Sequence, residues 1–557
     1  MLDNERRDND DHLIAELRSF GRTLEAATDE AIRRPTSPES TAADQPVESL
    51  QGRRPAWWLL AAAALLLGAG FSLGVLWPDD STSIDSVGTQ EDDETPSATS
   101  TPESDDDQVQ GGEESPTELA PEPLPSSIER ADGSALILAD DLEHQESDSD
   151  AQSRAKVAAG AVVDELVRLE VFPGSDRQDV ILRLATDGLT IETTLDPAVE
   201  AAAINSIAEL YPSEFDRADE LGIVTIDNRD GSIAAIASSE PTSHVPLLLA
   251  REPGSSFKSF VLAALFEEGY SPADTVRADG PCSFPLDDGE YTVGGSFRGR
   301  QSIAAVTRSS NNCAFVRLGQ IVGLDRVVGM ATAQGVTLHD GSDELLSLPL
   351  GTAKVTAVDM AGAYAAFANE GLYQQPWLVA SVTDRSGEVI YEHQRSETRA
   401  MTERTAALVS DVLKGNVERG TGRRAELVGD HAAAGKTGTT NDFVDAWFVG
   451  YTDYYTTAVW LGDPVGNTRI RIPGWQSFGG GLPALVWGGY MNELHEDLAP
   501  RAFAEIDVGD GKYLQVEGEL DFCDQSVDSL PTQTVGTELV DTDADGEADC
   551  VRPIPAD

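Results

Sequence analysis

From the N-terminus the chain passes through distinct regimes of hydrophobic and polar patterning. Residues 1–56 are polar apart from HLIAELRSFGRTLEAA, where Leu13, Leu17 and Phe20 share one helix face. Trp57 to Trp77 then runs without a charge, long enough at about 1.5 Å per residue to cross a hydrocarbon layer of roughly 30 Å. It predicts a single transmembrane helix with Trp57, Trp58 and Trp77 at the interfaces. From Pro78 to Glu129 there is no Lys or Arg, and Ser, Thr, Pro, Asp and Glu dominate. Such a segment buries too little apolar surface to offset its ordering entropy, so an acidic disordered spacer is predicted over residues 78–150.

Beyond the spacer the pattern becomes periodic. AKVAAGAVVDELVRLEVF reads as a helix, GLTIETTLD as a strand, and PAVEAAAINSIAELY as a helix opened by Pro197 behind an Asp196 cap; residues 151–215 are taken together as a linker region. IVTIDNRDGSIAAIAS predicts two strands joined by an Asn/Asp/Gly turn. Helical segments fill the middle, among them AVDMAGAYAAFANEG, which stops at Gly371. FVDAWFVGYT and YYTTAVWLGD then form a second hairpin about Thr452–Asp453. Hairpins enclosing a helical middle predict an α+β fold, an α/β/α sandwich with an antiparallel sheet covered by helices, over residues 216–504. An acidic tail, 505–557, follows.

Charge narrows the function. A formal net charge of -58 excludes nucleic acid as a partner, since that binding relies on clustered Lys and Arg. Arg53 and Arg54 before the apolar run and Asp79 and Asp80 after it place the N-terminus in the cytoplasm and everything beyond Pro78 outside. Four cysteines, Cys282, Cys313, Cys523 and Cys550, suit disulfides in that compartment; pairs Cys282–Cys313 and Cys523–Cys550 are expected, though spacing alone leaves the pairing open. No zinc-type spacing occurs, and no metal or other cofactor is expected. DTDADGEAD (Asp541 to Asp549) has carboxylates at calcium-loop positions but lacks the acid at position twelve, where Arg552 stands, so a solvated acidic turn is the expectation.

The chain uses only six lysines, and one of them stands in EPGSSFKSFVLAALFEEG. Ser255 and Lys258 lie one turn apart at the start of an apolar helix, where Phe257, Phe260, Val261, Ala264 and Leu265 trace a buried face. A lysine held neutral can take a proton from a serine that attacks a carbonyl. Alone the spacing is weak, because Ser153 and Lys156 repeat it in a plain charged helix. Two further stretches change this. TRSSNNCAFVRLG contributes Ser309-Ser310-Asn311, a hydroxyl and an amide two apart before another apolar helix, and AAAGKTGTTNDF contributes Lys436-Thr437-Gly438-Thr439 at the start of a strand. A helix cap and a glycine turn would account for each alone. The ordered set S-x-x-K, S-x-N, K-T-G closely resembles the signature of penicillin-binding proteins and class A β-lactamases.

Over roughly Val162 to Pro464 the chain resembles the transpeptidase half of class A penicillin-binding proteins, in GLTIETTLDPAVEAAA, EPGSSFKSF, RSSNNCAFVRLG, LPLGTAKVTAVDMAGAYAAFANEG, GTGRRAELVGDHAAAGKTGTTNDFVDAWFVGYT and VWLGDP. The resemblance implies a serine D,D-transpeptidase that binds β-lactams and cross-links peptidoglycan stem peptides ending in D-Ala-D-Ala. It implies Ser255 as nucleophile, Lys258 as general base, Ser309 as proton relay, Asn311 as holder of the substrate amide, and Lys436 as the group that polarises Ser309. Thr437 and Thr439 would bind the terminal carboxylate, Gly438 lying between them on the strand that takes the peptide. The N–H groups of Ser255 and Thr439 would form the oxyanion hole. The chain departs from the family where an acidic spacer replaces the glycosyltransferase domain, so a separate polymerase is expected as partner. It departs again at Asn312, where many relatives have threonine, and in the tail. A β-lactamase would need an activating carboxylate that no E-x-x-L-N stretch supplies. A membrane β-lactam sensor and a D,D-carboxypeptidase share the same motifs.

Overall fold

The computed structural model describes residues 125–138 and 149–516, except 212–218, 244, 287–288, 297–298 and 472–477, together with the backbone of 534–540 and 550–555. The chain divides into units 1–113 and 114–557, and all described residues lie in the second. The predicted transmembrane helix at 57–77, Cys523 and the 541–549 acidic loop lie outside the described residues. Among the described residues no helix is long and apolar enough to cross a membrane.

Two hairpins and one further strand build the central sheet. Strands β1 (Glu220–Asp227) and β2 (Ile233–Ser238) are the first hairpin; β3 (Ala434–Thr439) precedes the second, β4 (Asp445–Tyr451) and β5 (Tyr455–Gly462). The order is β3-β4-β5-β1-β2, and every pairing is antiparallel. Alternation along the strands sends side chains to two cores. Trp447, Val449, Tyr451, Ala458 and Trp460 enter one, and Ala446, Phe448, Val459 and Leu461 the other. The second core is closed by the helices Pro197–Leu210 and Leu482–Leu494. The first is closed by α1 (Lys258–Glu267), α2 (Asn312–Val322), α3 (Ala357–Ala368) and α4 (Glu403–Arg419). Helices thus cover both faces of an antiparallel sheet.

The predicted elements fall where periodicity placed them. Asp196 caps its helix by accepting from Ala198 N and Val199 N at 2.8 and 3.3 Å, and Gly371 follows α3 with φ +83°. Residues 151–215, read as a linker region, carry the helices Asp150–Arg168 and Arg177–Thr186 and the strand Thr190–Thr193, with Val162, Leu166 and Leu184 fully buried in the first core. Two corrections concern boundaries. The spacer does not extend to residue 150: Ser127–Glu129 pairs with Ala135–Leu138 and runs parallel to Thr190–Thr193, because Ile128, Leu136 and Ile137 are apolar enough to bury. The tail is tied at its start, where Tyr513–Leu514 pairs with Thr275–Val276.

Candidate active site

Helix α1 is buried from Lys258 to Phe266 on every side, not along one face. A helix wrapped by other helices needs no polar stripe, so from Phe260 to Phe266 the sequence after the Ser-Lys pair is an unbroken apolar run. Before it, Gly254–Phe257 forms one 3-10 turn. Gly254 sits at φ +54°, and a Cβ there would lie 2.7 Å from Thr439 O. Gly438 has the same constraint from the other side, its Cβ position being 2.1 Å from Pro253 O. The two glycines bring the Ser255 turn and strand β3 into backbone contact, which side chains would forbid.

Ser255 is half-buried. Ser256, its neighbour, is fully buried and donates to Pro253 O at 2.7 Å, which commits its hydroxyl to the turn. Lys258 is fully buried. Its Nζ donates to Ser310 O at 2.8 Å and to Asn312 Oδ1 at 2.7 Å, and stands 3.3 Å from Ser310 Oγ and over the Phe315 ring. Lys436, also fully buried on β3, points its Nζ at Ser310 Oγ from 2.9 Å and at Thr437 O from 3.0 Å. Among the described residues neither lysine has a carboxylate partner. Burial, with the Lys436 charge adding to it, holds Lys258 well below the ordinary lysine range. Burial brings Lys436 down to about 7.

The geometry moves the S-x-N pair by one position. Ser309 and Asn311 do not meet the lysines. Ser309 ends the helix Ile303–Arg308 and donates back to Ala305 O and Val306 O at 3.2 and 3.3 Å. Asn311 is the N-cap of α2: its Oδ1 accepts from Ala314 N at 2.8 Å and its Nδ2 donates to Ala278 O at 2.8 Å. Ser310, held at φ +53° between the two helices, and Asn312 at the first position of α2 are the residues that face Lys258 and Lys436. A left-handed backbone at a non-glycine residue costs on the order of 1–3 kcal/mol, and such strain concentrates at working sites. The relevant signal was in the sequence: SSNN fits S-x-N in two registers, and an Asn just ahead of a helix is the residue spent on capping.

The other predicted residues, Thr437, Gly438 and Thr439, follow Lys436 on strand β3. Thr437 Oγ1 is 2.7 Å from Thr421 Oγ1, and Thr421 is fixed in turn by Asn416 Oδ1 at 3.1 Å; neither partner was singled out from sequence. Thr439 Oγ1 accepts from Gly479 N at 3.1 Å, which leaves its proton to donate. Strand β3 is an edge strand. Cys282 and Cys313 are bonded, S–S 2.08 Å, and tie the strand Cys282–Leu286 to α2 beside Asn312. A cavity of about 170 Å³, walled by Gly280, Gly294, Gly295 and Ser309, opens next to Ser310 and Asn312. Among the described residues no cluster of His, Cys, Asp or Glu could hold a metal ion.

Residues 221–464 match the penicillin binding protein transpeptidase domain. The chain is similar to penicillin-binding protein 1A of Pseudomonas aeruginosa, 28% identical over 352 residues that cover 52% of this chain and 42% of the relative. It is similar also to penicillin-binding protein 1A of Mycobacterium tuberculosis, 29% identical over 368 residues, 61% and 44% of the two chains. The chain thus spans less than half the length of these relatives. Among solved structures, PonA1 of Mycobacterium tuberculosis in complex with penicillin V superimposes with a TM-score of 0.56 at 25% identity, covering 63% of this chain and 96% of that one.

Proposed function

We propose that this chain is a D,D-transpeptidase that cross-links peptidoglycan stem peptides through an acyl-enzyme on Ser255, and that β-lactams acylate the same serine. The observation that carries the reading is the convergence on the Ser310 hydroxyl of two buried lysines, Lys436 and the Lys258 that lies one turn from Ser255. A neutral Lys258 amine has two N–H groups and one lone pair. The N–H groups are spent on Ser310 O and Asn312 Oδ1, and the lone pair remains to accept a proton. Lys258 takes the Ser255 proton as Oγ attacks the carbonyl of the penultimate D-alanine. The oxyanion is held by the N–H groups of Ser255 and Thr439. When the C–N bond breaks, the departing D-alanine amine takes a proton through Ser310, which stands between the two lysines. An acceptor amine then attacks the ester by the reverse path.

Edge strand β3 suits an extended peptide added as a further strand. Asn312, its Oδ1 engaged by Lys258, has its amide N–H groups free for the substrate's carbonyl. Lys436 and Thr439 offer positive charge and a donor to the terminal carboxylate. The same reading puts residues 1–56 in the cytoplasm, a single membrane helix at 57–77, the catalytic domain outside, and a separate glycosyltransferase beside it. Fluorescent penicillin should label the wild type and not Ser255→Ala; labelling that persists there but vanishes in Ser256→Ala would sink the assignment. Mass spectrometry of products from a D-Ala-D-Ala pentapeptide with an amine acceptor should show the cross-linked dimer. Hydrolysed tetrapeptide alone would mark a carboxypeptidase.

A further inference from the structure

We propose that the buried Arg251–Asp445 ion pair positions the two N–H groups of the oxyanion hole, Ser255 on the nucleophile turn and Thr439 on strand β3, at their working separation. The inference rests on the acyl-transfer reading above. Arg251 stands just ahead of Glu252-Pro253-Gly254-Ser255, and Asp445 begins β4 just after the loop that leaves Thr439. Arg251 Nε donates to Asp445 Oδ1 at 2.7 Å, and both side chains are about nine-tenths buried or more. The rest of the guanidinium is also engaged, one amino group donating to Gly466 O at 3.0 Å and the other to Asn467 Oδ1 at 3.2 Å. The Arg251 backbone exchanges two 2.9 Å hydrogen bonds with Val355, so it is fixed from behind.

Asp445 is held just as closely. Its Oδ1 also accepts from Trp460 Nε1 at 3.0 Å. Its backbone N–H donates to Thr440 Oγ1 at 2.9 Å and its carbonyl accepts from Thr440 N at 3.1 Å. Thr440 is the residue directly after Thr439. A second tie runs parallel, from Trp447 Nε1 to Glu252 O at 2.9 Å. The ion pair therefore clasps the segment before one oxyanion donor to the segment after the other. Those segments are already in backbone contact at Gly254 and Thr439, where a few tenths of an ångström change how two N–H groups meet one oxygen. A buried pair is weak evidence for stability; its placement across this seam gives it a geometric role.

The test uses the full chain acylated with a penicillin, read by infrared difference spectroscopy of the ester carbonyl. Hydrogen bonds in the hole lower that stretching frequency. Asp445→Asn keeps the shape and an acceptor oxygen but removes the charge. It should raise the ester frequency and slow acylation by about 10- to 100-fold, toward the loss of one oxyanion donor, with the affinity of the non-covalent complex changed by less than about threefold. Arg251→Lys, which keeps charge but loses the fork, should fall between. If Asp445→Asn does not fold, Thr440→Val carries the test, because it removes the hydroxyl that takes the Asp445 N–H; it should shift the band the same way. A slowed enzyme with an unmoved carbonyl band, in whichever of these variants folds, overturns the proposal. A wild type that never forms a Ser255 ester overturns the acyl-transfer reading instead.

Discussion

Ser310 Oγ stands 2.9 Å from one buried lysine and 3.3 Å from another, so on the acyl-transfer reading its hydroxyl is placed to carry a proton between them. Ser310→Ala should lower the rate of acylation by on the order of a hundredfold, the scale of acid–base catalysis, whereas Ser309→Ala should stay within about twofold. Kinetics of penicillin acylation decide it, and equal effects at the two serines would refute the assignment. This contrast also marks the limit of the sequence at this scale. Ser255, Lys258 and Lys436 stand in motifs with one register each, but SSNN offers two, and the choice depends on which Asn the helix consumes as its cap. The depression of Lys258 is likewise a matter of contact that sequence does not display: burial causes it, aided by the Lys436 charge. Lys436, brought to about 7, is charged below that pH and neutral above it. Non-covalent affinity for a carboxylate-bearing β-lactam should therefore weaken as pH rises through about 7. The same shift makes the folded state gain stability from about 7 up to the ordinary lysine value of 10.5, because there the unfolded chain binds a proton that the folded one has released. Stopped-flow binding and denaturant melts across that window test both signs.

At the scale of elements, the parts with a clean period were legible and the parts defined by contact were not. The β1–β2 and β4–β5 hairpins alternate or run apolar between turn residues, and the Asp196-Pro197 cap starts its helix where capping chemistry requires. Helix α1 is different: a buried face was expected, yet the helix is buried on every side because α2, α3 and α4 close around it with the sheet. The short strands Ser127–Glu129 and Ala135–Leu138 were hidden by the acidic composition upstream. Contact also explains the glycines. Gly438→Ala would drive a Cβ to 2.1 Å from Pro253 O, forcing strand β3 off the nucleophile turn; acylation should fall by more than tenfold even where the fold survives, as a spacing error of under an ångström at a reaction centre does. The Cys282–Cys313 bond acts at the same scale. It closes a loop of sequence separation 31, so replacing both cysteines with serine should destabilise by roughly 2–4 kcal/mol. The loss should appear in denaturant melts under oxidising conditions, and a melt identical to wild type would contradict it.

For the molecule as a whole the question is reach. The resemblance to class A enzymes begins after the place where their polymerising domain would stand, and the chain has an acidic stretch there instead. With the first paired strand at Ser127, the spacer after Pro78 is shorter than its composition suggested. Its acidic composition predicts a self-repelling coil that would span roughly 40 Å or more. On the proposed reading, an anchored domain with that reach would work on glycan strands made by a neighbouring polymerase without making any itself. Purified full chain given lipid II should therefore yield no polymer, and should cross-link strands once a separate glycosyltransferase is added. Shortening the spacer between Pro78 and Glu118 by half should leave penicillin acylation in detergent unchanged, since Ser255, Lys258, Ser310 and Lys436 all lie within the folded domain, while lowering cross-linking on membrane-bound strands. Polymer formed by the chain alone, or cross-linking indifferent to spacer length in membranes, would overturn this account of how the domain reaches its substrate.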